Sequence, residues 1–305
     1  MGGFNVDLTT EVGPVKLKNP VLVAAGTFGY GQEYSHHIDL NKLGGLITKT
    51  ITLFPCEGNP PPRLTESPAG LLNSIGLENP GVDVFIREKL PFLQRLKTAV
   101  IVSIAGESEE DYLRLAERLT EKEGIKALEL NVSCPNVKSG QIIGKDARLI
   151  FSLCRKLKKA TDLPFILKLP PFIDVVEVAQ AAREGGAEAL SLINAVPAMV
   201  IDVNSQRPKL GNVTGGLSGP AIRPIAVKIV WEVCQKVNIP VIGMGGIMGL
   251  EDALEFVLAG ASAIAVGTAN FVDPGTSVRI IEELEQYLRE KKIKNFSELV
   301  GAVLI

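Results

Sequence analysis

Apolar, β-branched-rich runs recur along this chain, each ending in a small or polar residue and followed by a loop and a stretch with helical spacing. About eight such runs are legible, at residues 20–25, 45–50, 99–105, 125–132, 163–169, 187–194, 239–244 and 261–267. They are nearly continuously apolar rather than alternating, the pattern of strands buried on both faces in a parallel sheet. The helical stretches have readable ends. Ser108 opens one whose Leu113, Ala116 and Leu119 recur at helical spacing and which stops at Gly124, while Asp174 and Glu177 have capping-box spacing ahead of a second that ends at Gly185 and Gly186. Strands alternating with helices about eight times predict closure into a (β/α)8 (TIM) barrel, with an open doubly wound sheet as the alternative.

The 305 residues, 46% of them hydrophobic, suit one such barrel domain spanning residues 1–305. A formal net charge of −2, from 32 basic and 34 acidic side chains, offers no excess for nucleic acid or an anionic membrane. There is no run of membrane-spanning length and no signal-peptide layout at the start, so a cytoplasmic protein is expected. Cys56, Cys134, Cys154 and Cys234 lack the paired spacings of zinc or iron–sulfur sites, and Cys154 and Cys234 read as packing residues in helices. The only histidines, His36 and His37, are adjacent in one loop, which supports neither a metal site nor a Ser-His-Asp triad.

Two segments exceed ordinary barrel connections, residues 53–81 and 195–219, and a third loop, 135–146, carries Gly140 and Gly144. Long loops on a barrel build or cover its site, which lies at the C-terminal ends of the strands. The runs end selectively: Lys49, Ser103, Asn131, Lys168 and Asn194 lie at or near the ends of the second to sixth. A lysine inside an apolar run faces a large desolvation cost without an anionic partner. Two of them at equivalent positions imply a bound anion, unless each pairs with a carboxylate elsewhere.

Gly243-Met244-Gly245-Gly246-Ile247 and Gly267-Thr268-Ala269 follow the last two strands, where backbone N–H groups can approach a phosphate. Neither has dinucleotide or P-loop spacing. Asn131-Val132-Ser133-Cys134-Pro135-Asn136 sets a thiol between two amides that suit a planar, amide-rich ligand; the alternative is a small buried cysteine in a turn. A phosphorylated cofactor, two cations, several amides and a thiol together suggest flavin redox chemistry.

Through residues 24–29, Lys49, Asn73-Ser74-Ile75-Gly76-Leu77, residues 131–136, Lys168, residues 214–220, residues 243–247 and Gly267-Thr268, the chain resembles the class 1 dihydroorotate dehydrogenases of pyrimidine biosynthesis over nearly its whole length. The resemblance implies one FMN per chain, its phosphate held by Gly219, Gly245, Gly246, Gly267 and Thr268. Lys168 would face the N1 and C2 carbonyl edge of the ring, with Ala25, Thr50, Ser103, Asn131 and Ile193 also on the cofactor and Lys49 on both cofactor and substrate. Dihydroorotate would be bound by Asn73, Asn131, Asn136 and Asn194, with Ser74, Ile75, Gly76 and Leu77 beside it. Cys134 would take the proton from C5 of (S)-dihydroorotate while a hydride passes from C6 to flavin N5, giving orotate.

Ala195, expected against the substrate, stands where the family usually has a hydroxyl residue, which leaves room for a related dihydropyrimidine. NVSCPNVKSG and GMGGI resemble the NAD-linked class 1B catalytic subunits more than the fumarate-linked class 1A enzymes. This implies a partner subunit carrying FAD and a [2Fe–2S] cluster, in a heterotetramer built on a homodimer of this chain. A dihydropyrimidine dehydrogenase domain and a non-redox phosphate-binding barrel are the alternatives.

Overall fold

The computed structural model describes residues 4–133, 143–171 and 174–305. Eight parallel strands close into a barrel: β1 (Val21–Val23), β2 (Gly45–Ile47), β3 (Ala99–Ile104), β4 (Ile125–Asn131), β5 (Phe165–Leu169), β6 (Ala189–Leu192), β7 (Val241–Met244) and β8 (Ala263–Val266). Each pairs with the next in sequence and β8 pairs with β1, which rules out the open doubly wound sheet. Every apolar run of the sequence supplies one strand.

The runs are continuously apolar because alternate residues serve two cores. Leu22, Ile47, Ile101, Ala127, Ile166, Ala189, Ile242 and Ala263 fill the barrel interior together with Val12, Val15 and Leu17. Those last three come from an antiparallel hairpin, Thr10–Val12 with Val15–Leu17. The intervening residues, among them Val23, Leu46, Val102, Leu130, Leu167 and Leu190, join the outer core under the helices.

The helix Glu109–Thr120 is opened by Ser108, whose Oγ accepts from Asp111 N (3.2 Å) while Asp111 Oδ2 accepts from Ser108 N (3.1 Å). It buries Tyr112, Leu115, Ala116 and Leu119, leaves Leu113 half-buried, and ends before Gly124, where φ is +84°. The box expected at Asp174 does not form. Asp174 is the N-cap of Val175–Gly185 but sits at ψ 32° rather than extended, so its carboxylate makes no capping hydrogen bond. Gly186 closes that helix at φ 109°, as its position in the sequence suggests.

Ala147–Ala160, Arg223–Lys236, Leu250–Leu258 and Thr276–Lys291 follow β4, β6, β7 and β8. The first unit departs from the pattern: β1 connects to β2 through 3-10 turns at Gln32–Tyr34 and Leu40–Lys42 without an α-helix. The rings of Phe28 and Tyr34, stacked at 3.9 Å, pack there instead.

Segments 53–81 and 195–219 meet in a four-stranded antiparallel sheet ordered Val196–Ala198, Gly215–Ser218, Gly70–Asn73, Leu64–Ser67. Residues 134–142 of the third loop lie outside the described residues. Cys154 is fully buried, and burial pushes its thiol up to about 12 and that of Cys234 to about 11, in keeping with packing roles. His36 and His37 are exposed. Among the described residues no helix is long and apolar enough to cross a membrane, and no group of His, Cys, Asp or Glu is arranged to hold a metal ion.

Candidate active site

The polar residues expected at strand ends converge at the C-terminal mouth of the barrel, and each is put there by strand register. Asn131 on β4 lies opposite Lys168 on β5, and Lys168 lies opposite Ser191 on β6. Lys168 is 5% exposed and has an ionic partner that the sequence reading missed: Glu129 Oε1 stands 3.7 Å from Lys168 Nζ. Glu129 itself is fully buried, and its Oε2 accepts a hydrogen bond from Ser191 Oγ at 2.9 Å. The inference from Lys168 to a bound anion is thereby corrected, because a carboxylate of the chain already answers this charge.

Lys49 differs. It lies two residues beyond β2, half-buried, with its backbone N–H on Gly29 O (2.8 Å), and its ammonium pairs with no carboxylate among the described residues. Burial lowers its pKa below the ordinary lysine value; Glu78 opposes that shift and Lys168 adds to it. A cation held in a partly dry mouth without a carboxylate partner would be stabilised by a bound anion.

The amides form a second group. Asn194 Nδ2 donates to Asn131 Oδ1 at 3.2 Å, and Asn194 Oδ1 accepts from Ala195 N at 2.8 Å. The end of β4 is fixed from behind by Tyr112, whose hydroxyl donates to Asn131 O at 2.8 Å. Asn73 ends its strand beside Gly216 and donates to the carbonyl of that residue at 3.3 Å. Ala195 packs in the same corner, where a Cβ on Gly216 would lie 2.6 Å from Ala195 Cβ. Ser74 is buried and accepts from Asn59 Nδ2 at 2.9 Å, and Ile75 O accepts from Asn59 N, so the turn through Ile75, Gly76 and Leu77 is held by its own insertion. Gly76 and Leu77 both have positive φ, at 72° and 58°. Cys134 and Asn136 lie outside the described residues.

The glycines form the third group. Gly219, Gly245 and Gly246 have φ of 94°, 129° and 79°. A Cβ on Gly246 would stand 2.8 Å from Gly219 O, so the segment after β7 and the end of segment 195–219 touch backbone to backbone. Thr268 joins them by donating from Oγ1 to Ser218 Oγ at 2.7 Å. Gly267 lies against Ala24, next to half-buried Ala25. Thr50 and Ser103, both buried, share a hydroxyl contact of 2.9 Å, and buried Ile193 donates its N–H to Met244 O.

The family model for dihydroorotate dehydrogenase matches residues 7–288. The chain belongs to the dihydroorotate dehydrogenase family. It is 54% identical over 301 residues to a protein of Desulforudis audaxviator named dihydroorotate dehydrogenase B (NAD(+)), catalytic subunit, covering 98% of each chain. Proteins of the same name from Desulforamulus reducens and Geotalea uraniireducens are 52% and 51% identical, each over 98% of this chain and over 99% and 98% of their own lengths.

The mouth fits the FMN that the family resemblance implies. Gly219 and Gly246 are packed too closely to carry a side chain, which lets the two turns meet, and among the described residues the backbone N–H groups of Gly246, Gly267 and Thr268 make no turn or loop hydrogen bond to a backbone carbonyl. Unpaired Lys49, the Lys168–Glu129 pair and the Thr50–Ser103 hydroxyls lie on neighbouring strand ends, suited to a polar ring edge. The functional candidate overlooked in the sequence is Glu129. Its signal was of the same kind as that of the lysines, a charge inside the apolar run Ala127-Leu128-Glu129-Leu130.

Proposed function

We propose that this protein is the catalytic subunit of an NAD-linked dihydroorotate dehydrogenase, oxidising (S)-dihydroorotate to orotate in pyrimidine biosynthesis. The observation that carries this reading is the gathering of Lys49, the amides of Asn73, Asn131 and Asn194, and the Gly219–Gly246–Thr268 cradle at one barrel mouth, in a chain of this family. Bound FMN supplies the two-electron acceptor. Gly219, Gly245, Gly246, Gly267 and Thr268 hold its phosphate by backbone and hydroxyl donors, while Lys168, Ala25, Thr50, Ser103 and Ile193 line the ring and its side chain.

Lys49 meets negative charge on cofactor and substrate. Asn73, Asn131, Asn136 and Asn194, with the turn from Ser74 to Leu77, orient a ring whose edge alternates donors and acceptors, and exclude analogues that leave these amides unpaired. Cys134 Sγ takes the proton from C5. A free thiol of pKa about 8.5 is only about 3% ionised at pH 7, so lysines near the thiol aid it by favouring thiolate. The names of the relatives, "B (NAD(+))" and "catalytic subunit", support an electron route to NAD⁺ through a partner subunit. That subunit carries FAD and a [2Fe–2S] cluster, in a heterotetramer on a homodimeric core in the cytoplasm. The chain acts as one domain over residues 1–305.

The deciding experiment is the anaerobic visible spectrum of the purified chain. A flavin band near about 450 nm that bleaches on adding dihydroorotate is the expected result. A colourless chain that takes up no added FMN overturns the proposal, and a yellow chain that bleaches only with another dihydropyrimidine moves the substrate.

A further inference from the structure

Among the described residues Glu129 is the one fully buried acid. It lies two residues before Asn131 on β4, hence on the same side of the strand, and its carboxylate reaches across to β5 and β6. Oε2 is held by Ser191 Oγ at 2.9 Å; Oε1 has no hydrogen-bond partner and faces Lys168 Nζ at 3.7 Å, inside ion-pair range and beyond a hydrogen bond. A buried carboxylate with an oxygen short of a donor is costly, and it persists here because Lys168 is beside it and Ser191 keeps it from turning fully onto the ammonium. Among the described residues the strand ends at the mouth thus carry Lys49, with no carboxylate partner, and Lys168, largely offset by Glu129.

We propose that Glu129 is a positioning residue that, through Lys168, sets how strongly the site prefers reduced over oxidised flavin. The inference rests on the FMN reading above. Flavin that accepts two electrons and one proton carries one negative charge more than before, and a fully effective Lys168 cation would favour that form. A carboxylate beside Lys168 weakens the preference, keeping reduced flavin able to give its electrons onward. Ser191 fixes the degree of offset by holding one carboxylate oxygen.

The test compares dissociation constants of oxidised and reduced FMN for the full chain and its variants. Glu129→Gln keeps the shape and an acceptor for Ser191 but removes the charge. The ratio of oxidised to reduced dissociation constants is expected to rise at least about tenfold, equivalent to about 30 mV for a two-electron couple. In a Lys168→Met background the same substitution is expected to leave the ratio unchanged, since the effect runs through the ammonium. Ser191→Ala, which takes away a donor dipole and keeps the charge, is expected to lower the ratio by about threefold, the size of a weak net hydrogen bond. It also decides the matter should Glu129→Gln fail to fold. An unchanged ratio in Glu129→Gln, or in Ser191→Ala if that is the only variant to fold, overturns the proposal; so does a Glu129→Gln effect that survives loss of Lys168. Wild-type chain that binds no FMN in either state sinks the cofactor reading instead, so the two failures are told apart.

Discussion

Adding one methyl group at Gly246 tests the cradle directly. At φ +79° an L-residue carries about 1–2 kcal/mol of backbone cost. The new Cβ would meet Gly219 O at 2.8 Å, Arg223 Cβ at 2.9 Å and Arg223 N at 3.0 Å, none of which is the far end of a flexible side chain. Relief requires shifting Gly219 or Arg223 by some tenths of an ångström, an overpacking cost of about 1–3 kcal/mol. The sum, about 2–5 kcal/mol, corresponds to a fall in melting temperature of roughly 4–10 °C for a chain of this size. Because the displaced backbone is the proposed phosphate site, FMN affinity is expected to fall at least about tenfold, or 1.4 kcal/mol. The assay is fluorescence titration of the apo-protein with FMN, paired with thermal melts without FMN. Gly249→Ala is the control: no atom lies within 4 Å of a Cβ there and φ is −164°, so both quantities are expected to stay near wild type. A Gly246→Ala protein that binds FMN as tightly as wild type would refute the placement of the phosphate, and one that also melts like wild type would refute the steric reasoning.

Three further substitutions probe other parts of the molecule. Lys49 has a folded-state pKa below its unfolded value, so the folded apo-protein binds fewer protons and gains stability as pH rises from neutral through the folded value towards about 10.4, the unfolded value. Lys49→Met is therefore expected to be more stable than wild type near pH 7, with the gap closing towards pH 10 in urea unfolding; a gap independent of pH would contradict the lowered pKa of this half-buried cation. Cys134→Ser is expected to slow flavin reduction by dihydroorotate about 10²- to 10⁴-fold in stopped-flow while FMN stays bound, as for loss of a positioned base. An unchanged rate would remove Cys134 from that role. Ser108→Ala breaks one half of the observed capping box and is expected to cost about 1 kcal/mol, read as a melting shift of about 2 °C with FMN binding intact.

The barrel was legible because each strand is buried on both faces, so its residues stand out as an uninterrupted apolar run. The helix at Ser108 was legible because the chain enters it extended; the same signal at Asp174 misled because ψ there is 32° and the side chain makes no capping hydrogen bond. The missing helix between β1 and β2 left no trace in apolar spacing, since Phe28 and Tyr34 occupy its place by ring stacking. In the site, Lys49, Asn131, Lys168 and Asn194 were visible as polar interruptions at strand ends; Glu129 interrupts its run in the same way, but its pairing with Lys168 and Ser191 was hidden because those partners lie on other strands. Ser191 is 62 residues away, and no local pattern links the two. The sheet formed by the two insertions was hidden for the same reason, with Asn73 bonded to Gly216 across 143 residues.

That sheet has a consequence for how the family can change. Gly70–Asn73 from one insertion and Gly215–Ser218 from the other share a backbone ladder, with Gly216 opposite Asn73, Leu217 opposite Leu72 and Ser218 opposite Leu71. A one-residue insertion or deletion in either strand would turn the side chains of that strand to the opposite face and break the ladder of the other. The two segments are therefore a single unit of inheritance although they are remote in the gene. Grafting one of them alone into a relative is expected to give an unpaired edge rather than a new specificity. New substrate preferences in such a scaffold would arise by point substitution within a fixed frame, at positions such as Ala195 that border the ladder without belonging to it.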